Sequence, residues 1–116
     1  MYIFKFPQAA DFKFTYEGLD TYTKQGRNFW NRKVGTTVEI IRGYGPYFQV
    51  KLYDTVIAVI NADGSVNIPE VINSHGSQAT TQWVSKVLQD NGVGTFVYRE
   101  KGEYVGVAGK TFRPAA

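Results

Sequence analysis

Two segments near the start of the chain alternate between apolar and polar residues, with the period of two that half-buried strands show. They cover residues 1–6 and 11–16, and the stretch between them contains Pro7, which sheet edges tolerate. The aromatic residues fall on one face of each segment, and they are Tyr2, Phe4, Phe6, Phe12, Phe14 and Tyr16. This pattern predicts an aromatic hairpin over residues 1–17.

The middle of the chain predicts a run of strands, because β-branched and alternating residues lie there between glycine-containing turns. The clearest strand has Phe48, Val50 and Leu52 on one face. A nearly continuous apolar run at residues 55–60 predicts a central strand that is covered on both faces. The predicted strands are 36–42, 47–52, 55–60 and 65–68, with a turn at Asp63-Gly64 before the last of them.

One amphipathic helix is predicted over about residues 80–91, where apolar side chains recur at helical spacing. Thr80 stands where an N-cap is expected, and Asn91-Gly92 offers the left-handed residue that commonly ends a helix. The predicted buried residues are Trp83, Val84, Val87 and Leu88. Residues 95–107 then predict a closing hairpin, and residues 111–116 a frayed tail.

These elements together predict an α+β fold, in which an antiparallel sheet built from hairpins carries the helix on one face. The 116 residues suit a single domain, 1–116. It would comprise the hairpin at 1–17, a long basic loop at 18–35 and a β-β-β-α-β-β core at 36–110. The loop is expected because residues 18–35 show no sustained hydrophobic period, and loops of that length are uncommon without a function.

The amino-acid composition excludes several kinds of catalytic and metal-binding site. The chain has no cysteine, which excludes disulfides, thiolate nucleophiles and cysteine-containing zinc sites. His75 is the only histidine, so we expect no metal site and no other cofactor. There is no apolar run long enough to cross a bilayer, and we therefore expect no membrane partner and a cytoplasmic location. The net charge of +3 favours a polyanionic partner only if the basic residues cluster.

Basic residues do cluster in one segment, where they alternate with two aromatic rings and no acidic residue intervenes. Cations that neutralise phosphates beside rings that stack on bases are typical of single-stranded nucleic-acid binding. The alternative is that the rings anchor the loop to the core while the charges are solvated. The candidate nucleic-acid-binding residues are Lys24, Arg27, Phe29, Trp30, Arg32 and Lys33.

A second candidate surface is the group of tyrosines around the turn at residues 43–46. Tyrosine is favoured at protein interfaces because a rigid ring buries a large area at low entropic cost. The candidate protein-interface residues are Tyr44, Tyr47 and Tyr53, and their alternative role is in an aromatic-rich core.

Catalytic residues are not predicted. His75 lies in a polar, turn-like stretch, which favours a solvent-exposed loop residue over a catalytic base. Asp63 suits a turn, and Glu100 and Glu103 suit the tip of a hairpin, which explains these carboxylates without acid–base chemistry. The Gly-x-Gly at 43–45 lacks the third glycine and the helix that a dinucleotide loop requires.

Residues 31–105 resemble a family of small, mostly uncharacterised β-rich proteins of bacteriophages and mobile elements. The resemblance rests on the order and spacing of five motifs along the chain. They are the segment 32–37, which begins Arg-Lys-Val-Gly, the strand around Leu52, Thr55 and Ile57, the Asp63-Gly64 turn, the helix start at Thr80-Thr81, and the hairpin at 97–105. The chain departs from that family at Tyr53, where a histidine is usual, and at His75-Gly76, which replaces Gly-Trp. The resemblance implies a phage origin, and hence the cytoplasm of an infected bacterial host, but no mechanism.

We therefore expect a small non-enzymatic accessory binding protein of phage type that interacts with a host or phage protein. The alternative is a single-stranded nucleic-acid-binding domain that uses residues 24–33. A third hypothesis, a hydrolase of unrecognised type, requires a deep pocket with convergent titratable groups. Whether the protein forms a homo-oligomer stays open.

Overall fold

Successive hairpins build a six-stranded antiparallel sheet, which confirms the predicted α+β class. The structure is a computed structural model that describes residues 12–74, 76–94 and 97–114. The strands are β1 (Asn31–Val34), β2 (Val38–Arg42), β3 (Tyr47–Leu52), β4 (Thr55–Asn61), β5 (Val66–Asn67), β6 (Arg99–Glu100), β7 (Glu103–Tyr104) and β8 (Thr111–Phe112). The helices are α1 (Tyr16–Lys24), a 3-10 helix (Glu70–Ser74) and α2 (Gln78–Asp90). The sheet order is β1-β2-β3-β4-β5-β8, and β6 and β7 form a separate hairpin.

The core lies between one face of the sheet and the two α-helices. Strand β3 shows why, because its burial alternates strictly and buries Phe48, Val50 and Leu52. The helix α2 buries the four apolar residues that its spacing predicted, Trp83, Val84, Val87 and Leu88. Strand β4 is an inner strand, as predicted, but Val56 and Val59 on its second face are only partly buried, so that face is covered incompletely.

The predicted aromatic hairpin at 1–17 is not what the described residues form. Its first strand and turn, residues 1–11, lie outside the described part of the chain. Residues 12–15 belong to no strand and contain bends, and side chains at the C-terminal end of α2 satisfy the backbone of Phe14. The Phe14 amide donates to Asp90 Oδ2 at 2.9 Å, and Asn91 Nδ2 donates to the Phe14 carbonyl at 2.7 Å. The alternation still predicted burial, since Phe14 is fully buried and Phe12 partly buried.

The predicted long loop at 18–35 was also wrong, because its first part is helix α1 and its last part is strand β1. Thr15 is the N-cap, and its Oγ1 accepts a hydrogen bond from the Gly18 amide at 3.1 Å. Leu19, Tyr22 and Thr23 form the buried stripe of α1. The sheet therefore carries two α-helices on its core face rather than one.

Two features in the C-terminal half of the chain differ from the sequence prediction. The helix α2 starts at Gln78, with Ser77 rather than Thr80 as its N-cap. The predicted tail at 111–116 contains β8, which pairs with β5 through Asn67 opposite Thr111. The predicted hairpin before it is confirmed for β6 and β7, where Lys101 and Gly102 have φ values of 54° and 82°.

Candidate interaction surface

The loop between α1 and β1 presents two of the predicted aromatic residues at the surface. It is held by a side-chain turn, in which Asn28 Oδ1 accepts a hydrogen bond from the Trp30 amide at 2.8 Å. The loop then joins the sheet, because the Arg42 amide donates to the Trp30 carbonyl at 2.8 Å. These contacts fix the backbone of a segment that lies outside any helix or strand.

Three exposed rings meet at this end of the sheet, and we call Phe29, Trp30 and Tyr44 the ring patch. The Phe29 and Trp30 rings pack edge to face with centroids 5.4 Å apart, and the Trp30 and Tyr44 centroids are 5.8 Å apart. The exposed fractions are 46% for Phe29, 49% for Trp30 and 99% for Tyr44. The fold therefore joins one residue of the predicted tyrosine surface to the two rings of the basic segment.

Arg42 supports the ring patch from beneath. Its guanidinium carbon lies 3.8 Å from the centroid of the Phe29 ring and 4.7 Å from that of the Phe48 ring. Its side chain is only 11% exposed. Nη1 donates to Asp20 Oδ1 at 2.7 Å and Nη2 donates to Thr23 Oγ1 at 2.7 Å. Nε donates to the Phe29 carbonyl at 3.2 Å, so one side chain connects α1, β2 and the loop of the patch.

Asp20 completes this support. The hydrogen bonds from Lys24 and then from Arg42 hold the pKa of the Asp20 carboxyl below its ordinary value, against a smaller opposing effect of burial. Lys24 Nζ lies 2.9 Å from Asp20 Oδ2, one helical turn away. The carboxylate is therefore shared between two cations and stays charged over the physiological pH range.

The four predicted basic residues divide into two kinds. Lys24 is paired with Asp20, and the Arg32 guanidinium lies 4.1 Å from the centroid of the Tyr22 ring and donates to the Tyr22 carbonyl at 3.0 Å. Arg27 and Lys33 have exposed side chains, and neither forms a salt bridge with the residues that the structure describes. Two of the four charges are thus committed within the protein, and two face solvent.

The three candidate tyrosines do not form one surface. Tyr47 packs over Gly43, where an added Cβ would lie 2.2 Å from the Tyr47 ring, so a side chain at this position would displace that ring. Tyr53 is 69% exposed and has a positive φ of 55°, but it follows the opposite end of β3. The length of that strand places the two ends roughly 20 Å apart. Of the three, Tyr44 alone stacks with the rings of the basic segment.

Arg42, Asp20 and Thr23 are site residues that reasoning from sequence missed. Arg42 appeared only as the end of a strand, because its partners on α1 were assigned to a loop. The signals were present: Thr15 is a good N-cap, Glu17 follows in the first turn, and Asp20 and Lys24 have the i, i+4 spacing of a helical ion pair.

The described residues contain no cluster of metal ligands, and the depression beside the start of α2 holds one titratable side chain. A depression of about 360 Å³ between the β3–β4 turn and the start of α2 is lined by Tyr53, Thr55 and Ser77 among others, and Tyr53 is its one titratable residue within the described chain. In that same part of the protein, no three His, Cys, Asp or Glu side chains could share a metal ion. His75 lies outside the described residues. None of the described helices is long and apolar enough to cross a membrane.

The fold and this surface define a small α+β domain that exposes a supported cluster of aromatic rings. Comparisons with protein families, with curated proteins and with solved structures found no match. The function is therefore argued from the geometry of the described residues.

Proposed function

We propose that the chain is a non-enzymatic binding module whose ring patch docks against another protein. The observation that carries the proposal is a row of ring contacts at the surface, from Phe29 to Trp30 and from Trp30 to Tyr44, with exposed fractions of 46%, 49% and 99%. Exposed large apolar groups cost free energy in water, and burying one such side chain stabilises a complex by about 1.5–3 kcal/mol. Tryptophan, tyrosine and arginine also dominate measured binding hot spots.

The support beneath the patch strengthens the proposal because it orders Phe29 and the backbone of Trp30 before any partner arrives. Arg42 holds the Phe29 carbonyl and ring, and Asn28 holds the Trp30 amide. A preorganised surface loses less conformational entropy on association, which raises affinity without new contacts. Arg27 and Lys33 lie near the patch in sequence and face solvent, so an acidic border on the partner would speed association. The resemblance to bacteriophage proteins makes host and phage proteins the first candidates for that partner.

A single-stranded nucleic acid is the second candidate partner, and the solvent-facing Arg27 and Lys33 beside stacked rings are the observation that favours it. It ranks second because Lys24 is ion-paired with Asp20, and Arg32 is engaged with Tyr22. Fewer free cations mean fewer phosphates neutralised and a weaker dependence on salt.

Quantitative affinity purification tests the proposal. The full chain would be used as bait in a bacterial lysate, beside Trp30→Ala, Tyr44→Ala and the matched control Tyr53→Ala, an exposed tyrosine outside the patch. We expect that the wild type and Tyr53→Ala retain the same partner protein in similar amounts. The amount recovered with each patch variant should be lower by about tenfold or more. A partner that all four baits retain equally would refute a role for the patch.

The same variants separate the nucleic-acid alternative. The measurement is fluorescence anisotropy with a labelled oligodeoxythymidylate. Its length of about 20 nucleotides spans the usual site size of a single-strand-binding fold. Binding that weakens steeply with salt and is lost in Trp30→Ala would favour that alternative over a protein partner. We expect no salt-dependent binding at submillimolar protein concentration.

A further inference from the structure

A second surface lies on the face of the sheet turned away from the helices, where three polar side chains form a hydrogen-bonded row. We call Asn61, Asn67 and Thr111 the amide ladder. Strand pairing sets Asn67 opposite Val59 and Thr111 opposite Asn67, which puts all three on one face across β4, β5 and β8. Asn61 Nδ2 donates to Asn67 Oδ1 at 2.7 Å, and Asn67 Nδ2 donates to Thr111 Oγ1 at 2.6 Å.

The amide ladder is one wall of an open groove of about 590 Å³. Tyr47 and Pro46 form another wall, and Asp63, Ser65 and Arg113 close one end. The Tyr47 ring is held in place because it packs over Gly43, which has no Cβ to push it away. A shallow groove with one aromatic wall and a few convergent polar groups is a general form of small-ligand site.

The hydrogen-bonding capacity of the ladder is only partly used. Asn61 Nδ2 donates one hydrogen to Asn67 Oδ1, and its other hydrogen is shared between Ser65 Oγ at 3.0 Å and the Ser65 carbonyl at 3.3 Å. Asn61 Oδ1, the second hydrogen on Asn67 Nδ2 and the hydroxyl hydrogen of Thr111 have no partner among the described residues. The row thus offers both an acceptor and donors along one line, which matches a ligand whose groups both donate and accept.

The charges at the groove indicate an uncharged ligand. Arg113 Nη1 lies 3.2 Å from Asp63 Oδ2, so the cation and the carboxylate that line the groove among the described residues compensate each other. Ser65 also donates to Asp63 Oδ1 from its amide and its hydroxyl, at 2.9 and 2.6 Å, which fixes the carboxylate in place. An anion such as a phosphate would meet that fixed carboxylate, and a cation would meet Arg113.

We propose that this groove binds a neutral carbohydrate, with the hydroxyl groups of a pyranose on the amide ladder and its C–H face on the Tyr47 ring. Sugar hydroxyls donate and accept hydrogen bonds equally well, and the ring face of a pyranose is apolar, so both walls of the groove are used. The site is separate from the ring patch, since the two share no residue. It stands or falls independently of the protein partner proposed above.

An amide NMR titration of the full isotope-labelled chain tests this proposal. The probes are maltotriose, cellotriose and tri-N-acetylchitotriose, each raised to about 10 mM, tenfold above a dissociation constant of about 1 mM. With at least one probe we expect saturable shifts in the side-chain amide signals of Asn61 and Asn67 and in the backbone amide of Thr111. If no trisaccharide gives a saturable shift, or if the shifts lie on another surface, the proposal is overturned.

Two variants locate the binding. Thr111→Val removes one hydroxyl with little change of shape, and Tyr47→Leu removes the flat wall. We expect each variant to bind the responding trisaccharide about tenfold more weakly, which corresponds to the loss of one net hydrogen bond or stacking contact. Thr36→Val, an exposed threonine of the β1–β2 turn, is the matched control and should bind as the wild type does. Unchanged binding by Thr111→Val, or a loss with Thr36→Val or Trp30→Ala, would overturn the assignment.

Discussion

Two groups of aromatic rings in this domain are each held together by close ring contacts, but their surroundings are opposite. In the core, the Phe12 and Tyr22 ring centroids are 4.2 Å apart, and those of Phe14 and Trp83 are 5.6 Å apart. In the ring patch, the corresponding distances are 5.4 and 5.8 Å. Helices cover the first group, so Trp83 is 1% exposed, whereas about half of Trp30 faces solvent.

This difference shows that ring contacts alone do not define a core. The rings of the first group pack mainly against apolar side chains of the core, which replace water there. The patch rests instead on Arg42, whose guanidinium is satisfied by Asp20, Thr23 and the Phe29 carbonyl. The first group should therefore determine stability, and the second should determine what the protein binds.

The largest expected effect is on the buried group. Trp83→Ala should lower the free energy of unfolding by about 3–5 kcal/mol, because a large cavity opens between Phe14 and α2. Urea denaturation followed by circular dichroism measures this change. A loss of less than about 1 kcal/mol would mean that the helix layer is not packed as described.

The next largest effect on the free energy of unfolding is expected at Arg42, which supports the ring patch. Arg42→Ala should lower the free energy of unfolding by about 2 kcal/mol, because Asp20 and the Phe29 carbonyl lose a largely buried donor. Arg42→Lys should recover only part of this, since an ammonium cannot make three directed contacts and stack on a ring. Arg113→Ala removes an exposed arginine of an exposed ion pair and is the control, with little expected change.

A smaller effect should appear in the pH dependence. The pKa of Asp20 is lowered in the folded protein relative to about 3.9 in an unfolded chain. The stability that the carboxylate contributes is therefore present above about pH 4 and is lost as the pH falls through the folded-state pKa. Asp20→Asn should cost about 1 kcal/mol near neutral pH, and the difference from wild type should shrink toward pH 2. Parallel stability curves between about pH 5 and pH 2 would contradict this account.

The smallest effect on stability is expected at the ring patch itself. Trp30→Ala should change the free energy of unfolding by about 0.5 kcal/mol, because the ring is half exposed and loses mainly its contacts with Phe29 and Tyr44. Chemical denaturation beside Trp83→Ala makes the comparison direct. A loss approaching that of Trp83→Ala would make Trp30 a core residue.

Much of the sheet could be predicted from sequence because buried and exposed side chains alternate along its strands with a period of two. The alternation of Phe48, Val50 and Leu52 identified β3, and the spacing of Trp83 and Val87 identified α2. Helix α1 was missed because residues 18–35 show no sustained hydrophobic period. The strand predicted before it was wrong because side chains at the end of α2 satisfy the backbone of Phe14. Such capping by distant side chains leaves no local pattern.

The candidate site was predicted in its parts and not as a whole. The basic and aromatic composition of residues 24–33 did indicate Phe29 and Trp30. Their contact with Tyr44 depends on the β1–β2 register, in which Asn31 pairs with Ile41 and brings Trp30 beside Arg42. The role of Arg42 depends on α1 as well. These are tertiary relations, and no spacing along the chain encodes them.

Acrylamide quenching of tryptophan fluorescence tests the central claim most directly, because the chain has two tryptophans, one in each group. The variant Trp83→Phe reports on Trp30 alone, and Trp30→Phe reports on Trp83 alone. We predict that Trp30 is quenched several times more efficiently than Trp83. Equal protection of both indoles would contradict an accessible ring patch and remove the basis for a binding surface there.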